Sequence, residues 1–232
     1  MVVCIDPGHA KNTAGKRSFD GSLLEYEFNR AVAKLLKAQL ERHGVKVIYS
    51  CDINTAKDIS LSERCRTANK AKADAFVSIH ANAYGSSWNN ARGWEIYHHA
   101  GSTGGKALAI AIHKTSIPYL GIIDRGRKTN TFTVLTGTNM PAVLIEHGFY
   151  TNREECAKLK NTEFRLKCAI ADAKGILNYL GIAWLEEKAE NEETDDISIL
   201  KNKVGLEDAT IDYLKSYKYG AELIHKIANA VR

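Results

Sequence analysis

The order in which short apolar runs alternate with helical periods constrains this chain more than any other feature. Val2–Ile5, Val45–Tyr49, Ala75–Ile79, Gly93–His98 and Val143–Glu146 have strand length and carry many β-branched and other apolar residues. Between them lie stretches with apolar residues three and four apart. Glu25 to His43 carries Phe28, Val32, Leu35, Leu36 and Leu40, and Gly44 follows as a natural stop. Ser60-Leu61-Ser62-Glu63 is a capping-box pattern, which predicts a helix to about Lys72. Further helices are expected from about Gly104 to Ile117, over Arg153–Leu159 and over Glu163–Leu180. Asn152 is the expected N-cap of the second of these, with Glu155 at its capping-box position. Strands that alternate with helices favour parallel pairing, because the crossover helix returns the chain to the same edge. The expectation is an α/β fold, a mostly parallel twisted sheet flanked by helices.

Gly181 ends this pattern. Residues 186–196 carry seven acids and one lysine, a run that gains little from burial and reads as a linker. The residues after it are rich in helix formers, with Leu206, Ile211, Leu214, Leu223, Ile224 and Ile227 available for packing. The reading is a main domain over 1–182, an acidic linker over 183–195 and a small helical module over 196–232. That module is near the lower size limit for folding alone, so docking or self-association is expected of it.

The net charge of +5 is divided unevenly: residues 1–182 hold 25 bases and 16 acids, residues 183–232 hold 7 and 11. A basic domain is drawn to anionic polymers, such as nucleic acid or an anionic cell wall. No RNP-like, zinc-finger or basic-helix pattern supports nucleic acid. The five cysteines are odd in number and include no C-x-x-C pair, which argues for reduced, mostly buried thiols. The N-terminus enters a strand with no basic segment and apolar stretch before it, and no apolar run approaches the roughly 20 residues that span a bilayer. The expectation is synthesis in the cytoplasm without a signal peptide, and no membrane span.

Three motifs can carry chemistry. Asp6-Pro7-Gly8-His9 follows the first strand and aims His9 into a cleft at the strand's carboxyl end, the edge where open α/β sheets bind ligands. Ser78-Ile79-His80-Ala81-Asn82 ends another buried strand in the same way. Either histidine alone would read as a solvated strand end, but two such strands make a pair. In Leu144-Ile145-Glu146-His147-Gly148-Phe149 a carboxylate ends an apolar strand, a costly placement unless it is paired or functional, so Glu146 is a candidate acid/base. A zinc hydrolase needs three protein ligands and an open position, and two histidines with one acid suit that role. Glu25, at the start of the first long helix, supplies the acid. Glu27 competes with it, since the two cannot point the same way on a helix.

In combination these residues resemble the zinc-dependent N-acetylmuramoyl-L-alanine amidases of type 3. The shared pattern is Asp-Pro-Gly-His, then Glu25 and Asn29, which favours Glu25 over Glu27. It continues through Leu61 to Arg64, Ala68-Asn69, Ser78 to Asn82, Pro141 to Leu144, Glu146 to Phe149, and Asn152, over about residues 1–181. His147 departs from it, standing where the family often has an apolar residue.

The resemblance implies a zinc hydrolase that cleaves the amide between N-acetylmuramic acid and L-alanine in peptidoglycan. One Zn2+ per chain would be held by His9, Glu25 and His80, with Glu146 as the catalytic acid/base. Arg64 and Asn82 would orient substrate or brace the ligands. The stretch from Asp196 to Leu206 looks like the short wall-recognition module at the end of some phage endolysins, so the tail is expected to reach anionic wall polymers. The favoured setting is host lysis by a phage, the enzyme acting on the wall after release. The alternatives are a bacterial autolysin of the same chemistry, for example in sporulation, and a non-catalytic wall-binding protein. Retention of all four polar site residues argues against the last.

Overall fold

A computed structural model describes residues 1–186, 192–217 and 219–231. They form two compact units, Met1–Trp184 and Leu185–Arg232. The first unit is the expected α/β fold. Its strands are β1 (Val2–Pro7), β2 (Lys46–Tyr49), β3 (Ala75–Asn82), β4 (Trp94–His98), β5 (Asp124–Thr129) and β6 (Ala142–Phe149), in the order β2-β1-β3-β6-β4-β5. β2, β1, β3 and β6 are mutually parallel, so their carboxyl ends share one edge. β4 runs antiparallel to β6, and β5 lies parallel to β4 at the rim.

Helices α1 (Glu25–Arg42), α3 (Thr103–Leu120), α5 (Arg153–Lys160) and α6 (Thr162–Tyr179) contribute to the larger core. Phe28, Val32, Leu36 and Leu40 of α1, Leu108 and Ile112 of α3, and Ile176 and Leu177 of α6 are fully buried there with Val77, Ile79, Val143 and Ile145 of the sheet. Gly175 lets α6 approach the α3 backbone, because a Cβ there would overlap Ile112. The other core is thinner, formed by α2 (Leu61–Lys70) and α4 (Thr133–Thr136) over Cys4, Phe76, Ala142 and Leu144.

Several elements differ from the sequence reading. β5 and α4 carry no apolar periodicity. β5 reads Asp-Arg-Gly-Arg-Lys-Thr because it is an edge strand, where charge guards unpaired backbone groups. α3 passes through Pro118 to Leu120 before the left-handed Gly121 ends it. Pro118 forgoes its own bond to the Lys114 carbonyl, and the helix runs only two residues past it. Ser60 and Glu63 form the expected capping box. Asn152 caps α5, but the Glu155 carboxylate turns away to accept from Gly93 N at 2.9 Å and Phe149 N at 2.7 Å. All five cysteines are free, and Cys51 alone is not buried.

Ile182 and Trp184 pack on the main core, so the first unit extends slightly past the expected boundary. Residues 187–191 of the expected linker lie outside the described residues. Helix α7 starts at Glu192, within the expected linker, and continues as a π-helical segment over Leu200–Val204. With α8 (Asp208–Lys215) and α9 (Gly220–Val231) it buries Leu200, Ile211, Ile224 and Ala228. Asp196 is buried and paired with His225 Nδ1 at 2.8 Å, which removes one acid from the supposed solvated run. Among the described residues no helix is long and apolar enough to cross a membrane.

Candidate metal centre and cleft

The site forms where β1, β3 and β6 end and α1 begins. Pro7-Gly8 breaks β1, and His9 takes a left-handed φ of 61°, a conformation few non-glycine residues adopt. Such strain persists where the surroundings hold it. Here Asn29, fully buried one turn beyond Glu25, donates to the Gly8 carbonyl at 2.9 Å. Gly8 has a steric reason as well. A Cβ on it would overlap the His80 imidazole, so the two motifs fit only with glycine there.

His9, Glu25 and His80 converge, with one ligand atom from each within 4.8 Å of the others. The imidazoles meet edge to face at 4.9 Å. His80 Nδ1 lies 2.9 Å from Glu25 Oε1, and His9 Nε2 lies 3.4 Å from Glu25 Oε2. Glu27 is exposed and turns back to accept from Leu24 N at 3.3 Å, away from the two imidazoles. Among the described residues this is the one group of three so placed.

The donor set fits a divalent cation on two grounds. Glu25 is buried, and its Oε2 has no hydrogen-bond donor. Burial pushes the His9 imidazole down to about 4, which keeps it neutral and able to donate its lone pair near pH 7. Glu25 itself stays below the usual carboxylate range: burial is the largest influence and pulls it up, but its hydrogen bond to His80 and the charges of His80, His9 and Lys16 together outweigh this.

Glu146 is the direct neighbour of His80 across the β3–β6 pair, on the same sheet face. Its Oε2 is shut off from solvent and has no partner. Burial pushes its carboxyl up to about 8; His80 opposes this, while Glu25 and Glu95 reinforce it. A carboxyl poised near neutrality can both take up and release a proton.

Arg64 and Asn82 support this arrangement. Arg64 is buried and donates to Asp6 Oδ1 at 2.7 Å, the Pro7 carbonyl at 2.9 Å and Asp58 Oδ1 at 2.5 Å. Asp58 accepts from Thr13 Oγ1, which accepts from Ala10 N, so one guanidinium braces both sides of His9. A group so enclosed does not reach substrate. Asn82 Nδ2 donates to Glu95 Oε1 at 2.8 Å. His147 is fully buried, 2.8 Å from Asp172 Oδ2 through Nε2 and 3.3 Å from the His80 carbonyl through Nδ1.

Sequence reasoning missed two groups. Asp6 was read only as part of a turn, yet it is the hub of the buried network, accepting from Ser50, Ser78 and Arg64. Its burial raises its pKa, but Arg64 and the two serines hold it below the usual carboxylate range. Glu95 gave only the faint signal of an acid inside an apolar strand.

The Asp6–Arg64 pair carries a stability prediction. Arg64→Met leaves a buried carboxylate without its cation and is expected to cost about 3–5 kcal/mol in denaturant unfolding. Asp6 is ionised in the folded state below its unfolded pKa, so its contribution is full above about pH 4 and is lost as pH falls further. Asp6→Asn is therefore expected to be less stable at neutral pH and to show a flatter acid limb. Wild-type stability at neutral pH in Arg64→Met would mean the pair is not integral to the fold.

The comparisons agree with this geometry. Residues 3–178 match the profile of the N-acetylmuramoyl-L-alanine amidases. The chain is 37% identical over 180 residues to the amidase LytC of Bacillus subtilis strain 168, covering 77% of this chain and 35% of LytC. It is 35% identical over 189 residues to the endolysin of Bacillus phage SPP1, covering 78% of this chain and 66% of that protein. The chain thus spans about a third of LytC and about two thirds of the endolysin. The catalytic domain of CwlV from Bacillus (Paenibacillus) polymyxa var. colistinus superposes with a TM-score of 0.73 at 34% identity, covering 78% of this chain and 99% of that domain. A profile matched from the first strand to the last helix of the α/β unit, over a cleft with this donor set, places the chain in the N-acetylmuramoyl-L-alanine amidase family.

Proposed function

We propose that this chain is a zinc-dependent hydrolase of peptidoglycan, cutting the amide between the lactyl group of N-acetylmuramic acid and L-alanine. One zinc ion per chain is held by His9, Glu25 and His80. The observation that carries the reading is the convergence of these three donors beside Glu146, whose Oε2 is buried without a partner. A bound zinc ion supplies Lewis-acid chemistry, polarising an amide carbonyl and lowering the pKa of water towards about 7. Glu146 takes the proton of the attacking water and delivers it to the amine that leaves as the C–N bond breaks. Arg64, through Pro7 and Asp58, keeps His9 in place while this happens.

Host lysis by a phage is the setting we favour, in keeping with the likeness to the SPP1 endolysin. Likeness to LytC and to a sporulation-specific amidase of Bacillus subtilis supports a bacterial autolysin of the same chemistry. Neighbouring genes separate the two. We read the first unit, 1–182 on the sequence reading and closed by Trp184 in the structure, as catalytic, and the helical unit that includes 196–232 as a wall-targeting module behind an acidic linker, with self-association as the module's other role. The module presents exposed Tyr213, Tyr217 and Tyr219, whose ring faces suit stacking on sugars.

Incubation with purified cell walls tests both parts. New L-alanine amino termini are expected without new reducing ends, stopping on chelation and returning with added zinc. Reducing ends, or cleavage indifferent to chelator, would contradict the chemistry. A form ending at Trp184 is expected to match the full chain on soluble muropeptides and fall behind on walls; equal behaviour on both would contradict targeting.

A further inference from the structure

The row of ionisable groups on this sheet face does not end at Glu146. His80 pairs across to Glu146, and Glu146 pairs across to Glu95 on β4, so three adjacent strands carry the row on one face. Beyond it lies β5. From there Arg125 Nε reaches Glu95 Oε2 at 2.7 Å, and Lys128 Nζ reaches the same oxygen at 2.5 Å. The other oxygen accepts from Tyr97 OH at 2.6 Å and from Asn82 Nδ2 at 2.8 Å.

We propose that Arg125 and Lys128 form a receptor for a carboxylate on the peptide stem of the substrate, held in position by Glu95. The proposal rests on the amidase reading and deepens it to a substrate feature.

Three observations carry it. Glu95 has a side chain only 3% exposed, whereas those of Arg125 and Lys128 are 36% and 37% exposed. A buried carboxylate thus fixes two cations that still face solvent. Two positive charges meet one negative charge, so a surplus of one positive charge is left at the solvent-facing side of this pair. Donors remain as well, since an ammonium has three N–H groups and a guanidinium five. Arg125 also lies over the Phe149 ring at 4.9 Å, which restricts it further. Long side chains fixed before binding lose less freedom when an anion arrives.

Protection of an edge strand explains exposed charge on β5 in general. It does not explain a buried glutamate, placed beside Glu146, that draws two of those charges onto the reactive face. The substrate's chemistry selects the ligand. The sugars beside the scissile amide are neutral. On the peptide side the first ionised group is the carboxylate of the acidic second stem residue, linked onward through its side chain, with its α-carboxyl either free or amidated. Adjacent strands lie about 4.8 Å apart and a residue spans about 3.5 Å, so β5 is two strands, or roughly three residues at most, from Glu146. The carboxylate is on the second residue past the cleaved bond, about 7 Å along the chain, and the cationic ends of Arg125 and Lys128 lie back at Glu95, one strand or about 5 Å from Glu146.

Two small muropeptides test the proposal, N-acetylmuramoyl-L-alanyl-D-isoglutamate and its isoglutamine counterpart, each with the γ-carboxyl capped as a methylamide so that only the α-carboxyl differs. The full chain is expected to cleave the free carboxylate form with a kcat/KM about three- to fivefold higher, chiefly through KM. Lys128→Met should erase that preference while changing the amidated substrate by no more than about twofold, and Lys128→Arg should restore it. Equal treatment of both substrates by the wild-type chain, or an equal loss on both in Lys128→Met, would overturn the proposal and leave the amidase reading standing. Calorimetric binding of both compounds to Glu146→Gln separates the two readings. If nothing is cleaved, the amidase reading fails, and tighter binding of the free carboxylate still supports the receptor, whereas equal binding overturns it.

Discussion

His80→Ala is expected to abolish tight zinc binding and, with it, cleavage of muropeptides. His80 lies against Glu25 and faces His9, so its removal takes one donor of three and leaves Glu25 buried without its closest partner. Losing a contact that merely supports a ligand costs about 10–100-fold in metal affinity, and losing the ligand itself should exceed that. Gly8→Ala should approach the same result without touching any donor, because the added methyl would occupy the space of the His80 ring. Elemental analysis after dialysis reads both variants. Full zinc occupancy in His80→Ala would remove this residue from the metal site, and full occupancy in Gly8→Ala would show that the ring has another place to go.

Glu146→Gln is expected to keep zinc and fold while kcat falls by about 10²–10⁴-fold, the usual contribution of a general acid/base. The two effects separate because Glu146 sits beside the three donors and is not one of them. Glutamine keeps the shape of the side chain but cannot take a proton. In the metal-free protein the variant should melt no lower than wild type, since Glu146 Oε2 has no partner to lose. A rate within a few-fold of wild type would mean that another group moves the proton. A loss of zinc would instead make Glu146 part of the metal site.

How far each feature was legible follows from how local its cause is. The strands β1, β3 and β6 and the long helices α1 and α6 were readable because burial imposes a period on them, and that period is written along the chain. Motifs at strand ends were readable for a related reason. An apolar run that stops at histidine or glutamate announces a polar edge, and parallel strands collect such edges on one side. β5 and α4 were missed because neither has an apolar stripe to bury. The start of α7 at Glu192 was not legible because an acidic run offers no apolar stripe to signal a helix.

The sequence by itself determined the α/β class, the edge on which His9, His80 and Glu146 gather, and the family resemblance. Only the tertiary structure brings Glu25 rather than Glu27 to the two imidazoles: one carboxylate is enclosed with them while the other caps its own helix. It encloses Arg64 among Asp6, the Pro7 carbonyl and Asp58, where the guanidinium has almost no exposed surface. It also joined Glu95 to Arg125 and Lys128, thirty and thirty-three residues away in the chain. Such pairings depend on which strands become neighbours and on which face each side chain points, and those are set by packing across the whole sheet rather than by any local stretch of chain.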